Sequence, residues 1–326
     1  MAFLGIDVGS SSVKACMIDH DGRVLDFVTT DIGNLIRRPV PSWAERDSET
    51  LWDAVRSTLK KVTQPENIES VCVDATSGSV IAVDHNQKPL CPILLYSDKR
   101  AEAEAKHILR ESSIARDYEV YLPLDPYIVL PKILWMRSHL ANFSNVDKVL
   151  NEGDFIQMKL TGKVCTSPNV AGKAHVDIRS GDYLRDVYED LKIDGNLVPA
   201  VKPIGEVVGT ISKPCGEETG LPERAVVING VTDSTANDIA TGTLNAGQLN
   251  VSIGTSLVLH AVADHPIPDS AKRIYYKSYV GGRFLAGGAT DAGTLPMDSL
   301  SRLLGKTLQE LDIEATKVSA GCEGLI

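Results

Sequence analysis

The sequence predicts an α/β fold of two related units facing each other across a cleft, the second unit incomplete. Three observations carry that expectation. The chain opens in β-β-β-α-β-α order. A strand–turn–strand unit near its start returns near its end, with small hydroxyl residues at matching places. Between the two copies, a strand runs into a helix of small residues with an aspartate at the junction.

The elements follow in order. "FLGIDV", "SVKACMID" and "RVLDFVTT" read as three strands, and the turn "DHDG" joins the last two through Gly22. Residues 31–47 form a Pro-containing loop. "DSETLWDAVRSTLKKV" places Leu51, Trp52, Val55, Leu59 and Val62 at helical spacing behind an N-cap at Asp47 or Ser48. A strand "SVCVDA" (70–75) and a helix in "KRAEAEAKHILRE" (99–111) come next. The middle, 112–200, reads as mixed and mostly helical, with turn clusters "RSGDY" and "KIDGN" and no chemical motif. Strands return with "IGEVVGTI" and "AVVINGV", followed by the helix "STANDIATGTL".

The repeat then begins. Ile6-Asp7-Val8-Gly9-Ser10-Ser11 matches Val251-Ser252-Ile253-Gly254-Thr255-Ser256. A third strand "RFLAGGAT" and helices near 292–304 and 307–319 restart the β-β-β-α order. The expected units are 1–245 and 246–326. The sequence stops at "GCEGLI" as another apolar strand begins. The second unit is therefore expected to be truncated, with too few strands for a closed core and an exposed edge.

Composition narrows the function. Hydrophobic residues make up 43% and charged residues 23%, so a core forms without staples, and the net charge of −10 argues against nucleic acid or an anionic membrane as partner. The pairs Arg37-Arg38 and Lys60-Lys61 are too short to change this. The six cysteines are scattered without a C-x-x-C pair, which suits a reducing compartment. The histidines lack zinc spacing, and His260 and His265 read as surface or hydrogen-bonded positions. No apolar run reaches the ~18–20 residues of a membrane span. Asp7 and the absence of a basic start argue against a signal peptide, so the cytoplasm is the expected location.

The turns carry the chemistry. A Gly-hydroxyl turn aims several N–H and hydroxyl donors at one point, which suits phosphate oxygens. Asp7 beside such a site implies Mg²⁺, held mostly through water, and Lys14 would pair with a phosphate or hold Asp7. A tight hairpin with an Asx turn explains the first copy equally well. The second copy favours a shared ligand. There is no P-loop and no G-x-G-x-x-G after a strand. Asp233 falls at a helix N-cap beyond a strand ending at Gly230, where an ionised carboxylate could accept a hydroxyl proton. A plain helix cap is the alternative. Asp238, one turn on, is the competing carboxylate and is expected to face solvent.

These stretches together resemble the FGGY family of carbohydrate kinases, which has the actin-like ATPase (ribonuclease H-like) fold. The likeness runs through nearly the whole chain: "GIDVGSSSVKACMID" and "SIGTSLVLH" for the two phosphate motifs, "PSWAERDSETLW" ahead of the first helix, "LYSDKRAEAEA" on the sugar side, the segment around Asp233, and "GGATDAGTL" near the nucleotide. The resemblance implies ATP-dependent phosphorylation of a sugar hydroxyl with Mg²⁺, a pentulose such as xylulose or ribulose being the expected acceptor. It makes Asp233 the base, with Asp7 and Asp233 toward the metal. Gly9, Ser10, Ser11, Ser12, Lys14, Gly254, Thr255, Ser256 and Gly293 would lie along the nucleotide, and Ser77, Asp98 and Arg100 along the sugar. The implied partners are a small sugar and MgATP, with a homodimer as the candidate assembly. The chain departs from the family in "YSDKR", in "VDATSGSVIAVD" where pentulose kinases have S-G-Q-M-H-G, in "MDSL" after the glycine stretch, and in lacking the C-terminal adenosine motif. An actin- or Hsp70-like nucleotide switch and an inactive sugar-kinase fragment are the competing readings.

Overall fold

The structure is a computed structural model that describes residues 1–254, 257–290, 293–319 and 321–322. Strands β1 (Ala2–Val8), β2 (Ser12–Ile18) and β3 (Val24–Asp31) form an antiparallel meander. Ala2, Leu4, Ile6 and Val8 alternate into the core, joined by Val13, Ala15 and Met17 from β2. The short strand β4 (Glu45–Arg46) precedes helix α1 (Ser48–Leu59). Asp47 caps α1 by accepting the Thr50 N–H at 2.8 Å. Its apolar face, Leu51, Trp52, Val55 and Leu59, is buried over β2 and β3.

Strand β5 (Ile68–Ala75) returns parallel to β1. The middle of the chain adds β6 (Val80–Val83), β7 (Ile93–Leu94), α2 (Glu102–Glu111), α3 (Ser113–Tyr118), α4 (Val129–His139), β8 (Lys148–Asn151), α5 (Glu152–Thr161) and α6 (Arg185–Asp190). Then come β9 (Val207–Thr210), α7 (Lys213–Thr219), β10 (Val226–Thr232) and α8 (Asp233–Ala240). The main sheet has the order β3-β2-β1-β5-β10-β9, with β5 parallel to both β1 and β10. Three parallel strands therefore end on one edge, where α/β sheets place their ligands.

A second sheet, β4-β7-β6-β8, backs onto α2 and α4. The mostly helical reading of 112–200 missed β8, and β6 and β7 went unread before it. All four residues of β6 are buried, so no period-two alternation marks it.

The third sheet holds the repeat: β11 (Leu249–Ile253), β12 (Leu257–Ala263), β13 (Tyr275–Ser278) and β14 (Phe284–Thr290), in the order β11-β12-β14-β13 and antiparallel throughout. Helices α9 (Leu295–Leu304) and α10 (Leu308–Ala315) follow. β14 pairs with β12 as β3 pairs with β2, and β13 is an added edge strand that the sequence reading did not separate. Among the described residues, no helix is long and apolar enough to cross a membrane.

Candidate active site

A cleft of about 630 Å³ opens at the carboxyl edge of the main sheet. Ser10 of the first hairpin, Ser77, Asp233 and Ser234 line one side; Val258 of β12 and Lys277 of β13 line the other. The first hairpin and the third sheet thus contribute to one cavity.

Backbone bonds hold the first hairpin. Gly9 N–H donates to Ser12 O at 3.0 Å, and Ile32 N–H to Ser11 O at 2.8 Å. Lys14 Nζ lies 2.7 Å from Asp7 Oδ2, so of its two expected roles it holds Asp7. Arg46, fully buried, clamps the turn from beneath. Its guanidinium donates twice to Gly9 O, at 3.2 and 3.1 Å, and pairs with the equally buried Glu152 at 3.0 Å. Glu152 Oε2 accepts from Thr76 Oγ1 at 3.0 Å, and Thr76 meets Ser79 at 2.7 Å. One network therefore ties the phosphate-type turn to the loop that carries Ser77.

Gly230 places Asp233. The register between β10 and β5 shifts between Ile228 and Val231. A β-carbon at Gly230 would lie 1.9 Å from Val73 O, so only glycine lets the strands approach there. The strand runs on past Gly230 to Thr232, which is the N-cap, and Asp233 is the first helical residue. Ser234 N–H donates to Asp233 Oδ1 at 2.6 Å. Burial pushes the Asp233 carboxyl above the usual range, while Lys277 and the Ser234 N–H pull the other way. The full ionisation expected of an exposed cap is thus opposed by desolvation.

Asp7 and Asp74 face each other across β1 and β5, and Asp74 lies opposite Val231, two residues before Asp233. Burial, then the charges of Asp7 and Asp233, push Asp74 up to about 8. The sequence reading passed over Asp74, although it closes its strand as Asp7 closes β1. That shared position was the available signal.

Two lysines complete the cleft. Lys277, buried, donates to Ser234 Oγ at 2.9 Å and Thr232 Oγ1 at 3.4 Å, bridging the third sheet to α8. Burial and the nearby Lys173 lower it to about 8. Lys173 Nζ donates to Ser77 O at 3.1 Å, and burial lowers it as well. Neither lysine stood in a recognisable motif.

The sugar-side expectations divide. Ser77 lines the cleft, but Asp98 and Arg100 do not. Asp98 is fully buried, and its Oδ2 accepts the Ala44 N–H at 2.6 Å and pairs with Arg100 at 2.8 Å. Arg100 also pairs with Glu45 at 2.6 Å and stacks 3.9 Å from the Trp43 ring. These two residues brace "SWAE" against "YSDKR". Tyr96 and Ser97 of the same stretch reach the cleft instead. Asp238 is also buried, against expectation. Its oxygens take Asn250 Nδ2 at 2.7 Å and His260 Nδ1 at 2.7 Å, and His260 Nε2 meets Tyr275 Oη at 2.8 Å. That network pins α8 to the third sheet. His265 is exposed. In the second hairpin, Gly254 O accepts the Thr294 N–H at 2.7 Å, bringing Gly254 beside Gly293. Thr255 and Ser256 lie outside the described residues.

The N-terminal domain of the FGGY family of carbohydrate kinases matches residues 2–240. This chain belongs to the FGGY family. Among curated relatives, it is 28% identical to a xylulose kinase of Klebsiella pneumoniae over 80% of this chain and 54% of that one. It is 25% identical to a gluconokinase of Bacillus subtilis over 99% of this chain and 66% of that one. The chain thus spans little more than half the length of the Klebsiella relative. The solved xylulose kinase from Rhodospirillum rubrum superposes with a TM-score of 0.91 at 24% identity, covering 100% of this chain and 69% of that one. The Plasmodium falciparum glycerol kinase with ADP superposes with a TM-score of 0.82 at 14% identity, over 93% and 63% of the two chains. The fold is that of the FGGY sugar kinases, the actin-like ATPase fold.

Proposed function

We propose that this chain carries the sugar pocket and phosphate-binding elements of an ATP-dependent carbohydrate kinase. Residues 1–245 form the sugar-binding and catalytic unit in this reading, and 246–326 begin the nucleotide-binding unit. The observation that carries it is Asp233, set by a glycine-only strand contact into a cleft that Ser77 and Ser10 of the first hairpin also line. Asp233 takes the proton of the attacking hydroxyl, and its raised pKa brings its basicity closer to neutral pH. The donors of Ser10, Ser11 and Ser12 receive phosphate oxygens, while Gly9, its N–H bonded to Ser12 O, closes the turn and is held by the Arg46–Glu152 network.

The donor set suits Mg²⁺. Asp7 and Asp233 raise the proton affinity of Asp74, and Asp7 raises that of Asp233, a repulsion that a divalent cation would relieve. Among the described residues no three acidic, His or Cys side chains converge closely enough to cage a metal. Mg²⁺ keeps most of its waters and takes phosphate oxygens, so it needs only one or two of these carboxylates. Asp7, oriented by Lys14, and Asp233 would hold it. When bound, the ion supplies charge neutralisation at the transferring phosphoryl group. The acceptor is an open-chain sugar, either a ketopentose such as xylulose or ribulose or an aldonic acid, since xylulose kinases and gluconokinases are both among the relatives.

A panel of ketopentoses, aldonates and polyols, followed by ADP release and by calorimetry on this chain, tests the reading. Binding of at least one sugar, with ADP formation stimulated by it, is expected. ADP formation indifferent to every sugar would make the chain a nucleotide switch. No sugar binding by calorimetry would remove the sugar pocket.

A further inference from the structure

We infer that the acceptor bears a carboxylate, and that Lys173 and Lys277 receive it. The inference rests on the sugar-kinase reading and chooses between its two acceptor classes. Both ammonium groups line the same cleft as Asp233. Among the described residues, neither has a carboxylate within ion-pair distance: Lys173 Nζ donates to Ser77 O, and Lys277 Nζ meets two hydroxyls and, at 5.5 Å, the face of the Tyr275 ring. An ammonium withdrawn from water without a counter-ion is costly. Lys173 lowers the proton affinity of Lys277, so the two ammonium groups are close enough to repel, and an anion seated by both would relieve that repulsion. The carboxylates that share the cleft, Asp233 and Asp125, do not pair with either lysine at contact distance, and burial raises both.

The backbone makes room for this arrangement. Gly78 has φ +90, and a β-carbon there would meet Tyr127 O at 2.6 Å and the Lys173 stem at 3.0 Å. The loop that bears Ser77 is thus shaped around Lys173 and sets its ammonium at the sugar end of the cleft. Lys277 enters from β13, an added strand of the opposing unit, and ends beside Ser234, the residue after the base. A carboxylate between the two lysines would fix one end of an open-chain acid while the other end presents its hydroxyl to Asp233. Asp125 and Asp233 act on Lys173, and Asp233 and Asp238 on Lys277, only from beyond contact distance, so a neutral ketose leaves both ammonium groups without a contacting counter-ion. The same two cations could instead meet a nucleotide phosphate, and the test separates these sources.

Gluconate, glucitol (the same carbon chain without the carboxylate) and xylulose are titrated calorimetrically into the wild-type chain without nucleotide, and MgATP without sugar. Lys173→Met and Lys277→Met undergo the same titrations. Gluconate is expected to bind at least about tenfold more tightly than glucitol or xylulose, and each variant to weaken gluconate by about tenfold while leaving glucitol nearly unchanged. Removing a buried unpaired charge should not lower the melting temperature, and glucitol binding reports an intact pocket independently. Glucitol or xylulose binding as tightly as gluconate would overturn the inference and leave the sugar-kinase reading standing. Variants that weaken MgATP but spare gluconate would assign the lysines to the nucleotide and overturn it too. Binding of none of the three sugars would take down the sugar-kinase reading itself.

Discussion

The two hairpins share a residue pattern and differ in what surrounds them. In the first, every second residue of β1 is buried, Arg46 grips the turn, and Lys14 holds Asp7. In the second, Leu249, Val251 and Ile253 of β11 are exposed, Ile253 at 68%. Leu300, Leu303 and Leu304 of α9 lie open as well. Both pair antiparallel, but the turns differ by one residue: Val8 faces Val13 across four residues, and Ile253 faces Leu257 across three. A strand–turn–strand pattern therefore specifies a hairpin locally, while rigidity comes from the layers packed on its face. Ser252 also stands where the first copy has Asp7, so only the first hairpin carries a carboxylate at that position.

If that contrast holds, substitutions around the first hairpin are expensive and those on the second are cheap. The largest effect is expected from Arg46→Met, which strands the buried Glu152 charge and frees Gly9 O; chemical denaturation should register a loss of about 3–5 kcal/mol. A loss below about 1 kcal/mol would mean that the first turn is not braced as described. Gly230→Ala forces β10 away from Val73 O and should cost on the order of 3 kcal/mol, read as a fall in melting temperature.

Acid provides the next test. His175 is fully buried at φ 58, neither ring nitrogen has a hydrogen-bond partner among the described residues, and burial lowers its pKa to about 4. Its folded pKa lies below the unfolded value near ~6.5. Its contribution is thus complete above ~6.5 and is lost as pH falls through about 4, by up to about 3 kcal/mol. His175→Asn, which tolerates positive φ, should flatten the stability profile between those limits. An unchanged acid limb would put the proton elsewhere. The smallest effect is expected from Ile253→Thr on the open face, within about 0.5 kcal/mol of wild type. A loss of several kcal/mol there would show that the second hairpin is as well supported as the first.

Much of this was legible in sequence, for identifiable reasons. The hairpins, α1 with its Asp47 cap, and the junction at Asp233 all rest on local rules of period, capping and turn chemistry. β6 was not legible because full burial erases its alternation, nor was β13 because it is a short edge strand beside a turn-rich segment. Asp98 and Arg100 misled because their charges suit a sugar, whereas Trp43, Glu45 and the Ala44 amide claim them in three dimensions. Asp238 misled because helical spacing cannot reveal that β11 and β12 cover that face. Lys173, in a 3-10 turn, and Lys277, on β13, become functional candidates only when segments far apart in sequence bring them to one cleft.

The central claim is that the two units flank one cleft in which Asp233 is the base for a sugar hydroxyl. The most direct measurement is transfer of the labelled γ-phosphate of ATP to sugar by the wild-type chain and by Asp233→Asn, with sugar affinity measured in parallel. The account predicts sugar-dependent transfer that falls by about 10²–10⁴ in the variant while sugar affinity is retained. Transfer within tenfold of wild type in Asp233→Asn, or ADP formation independent of sugar in the wild type, would contradict it.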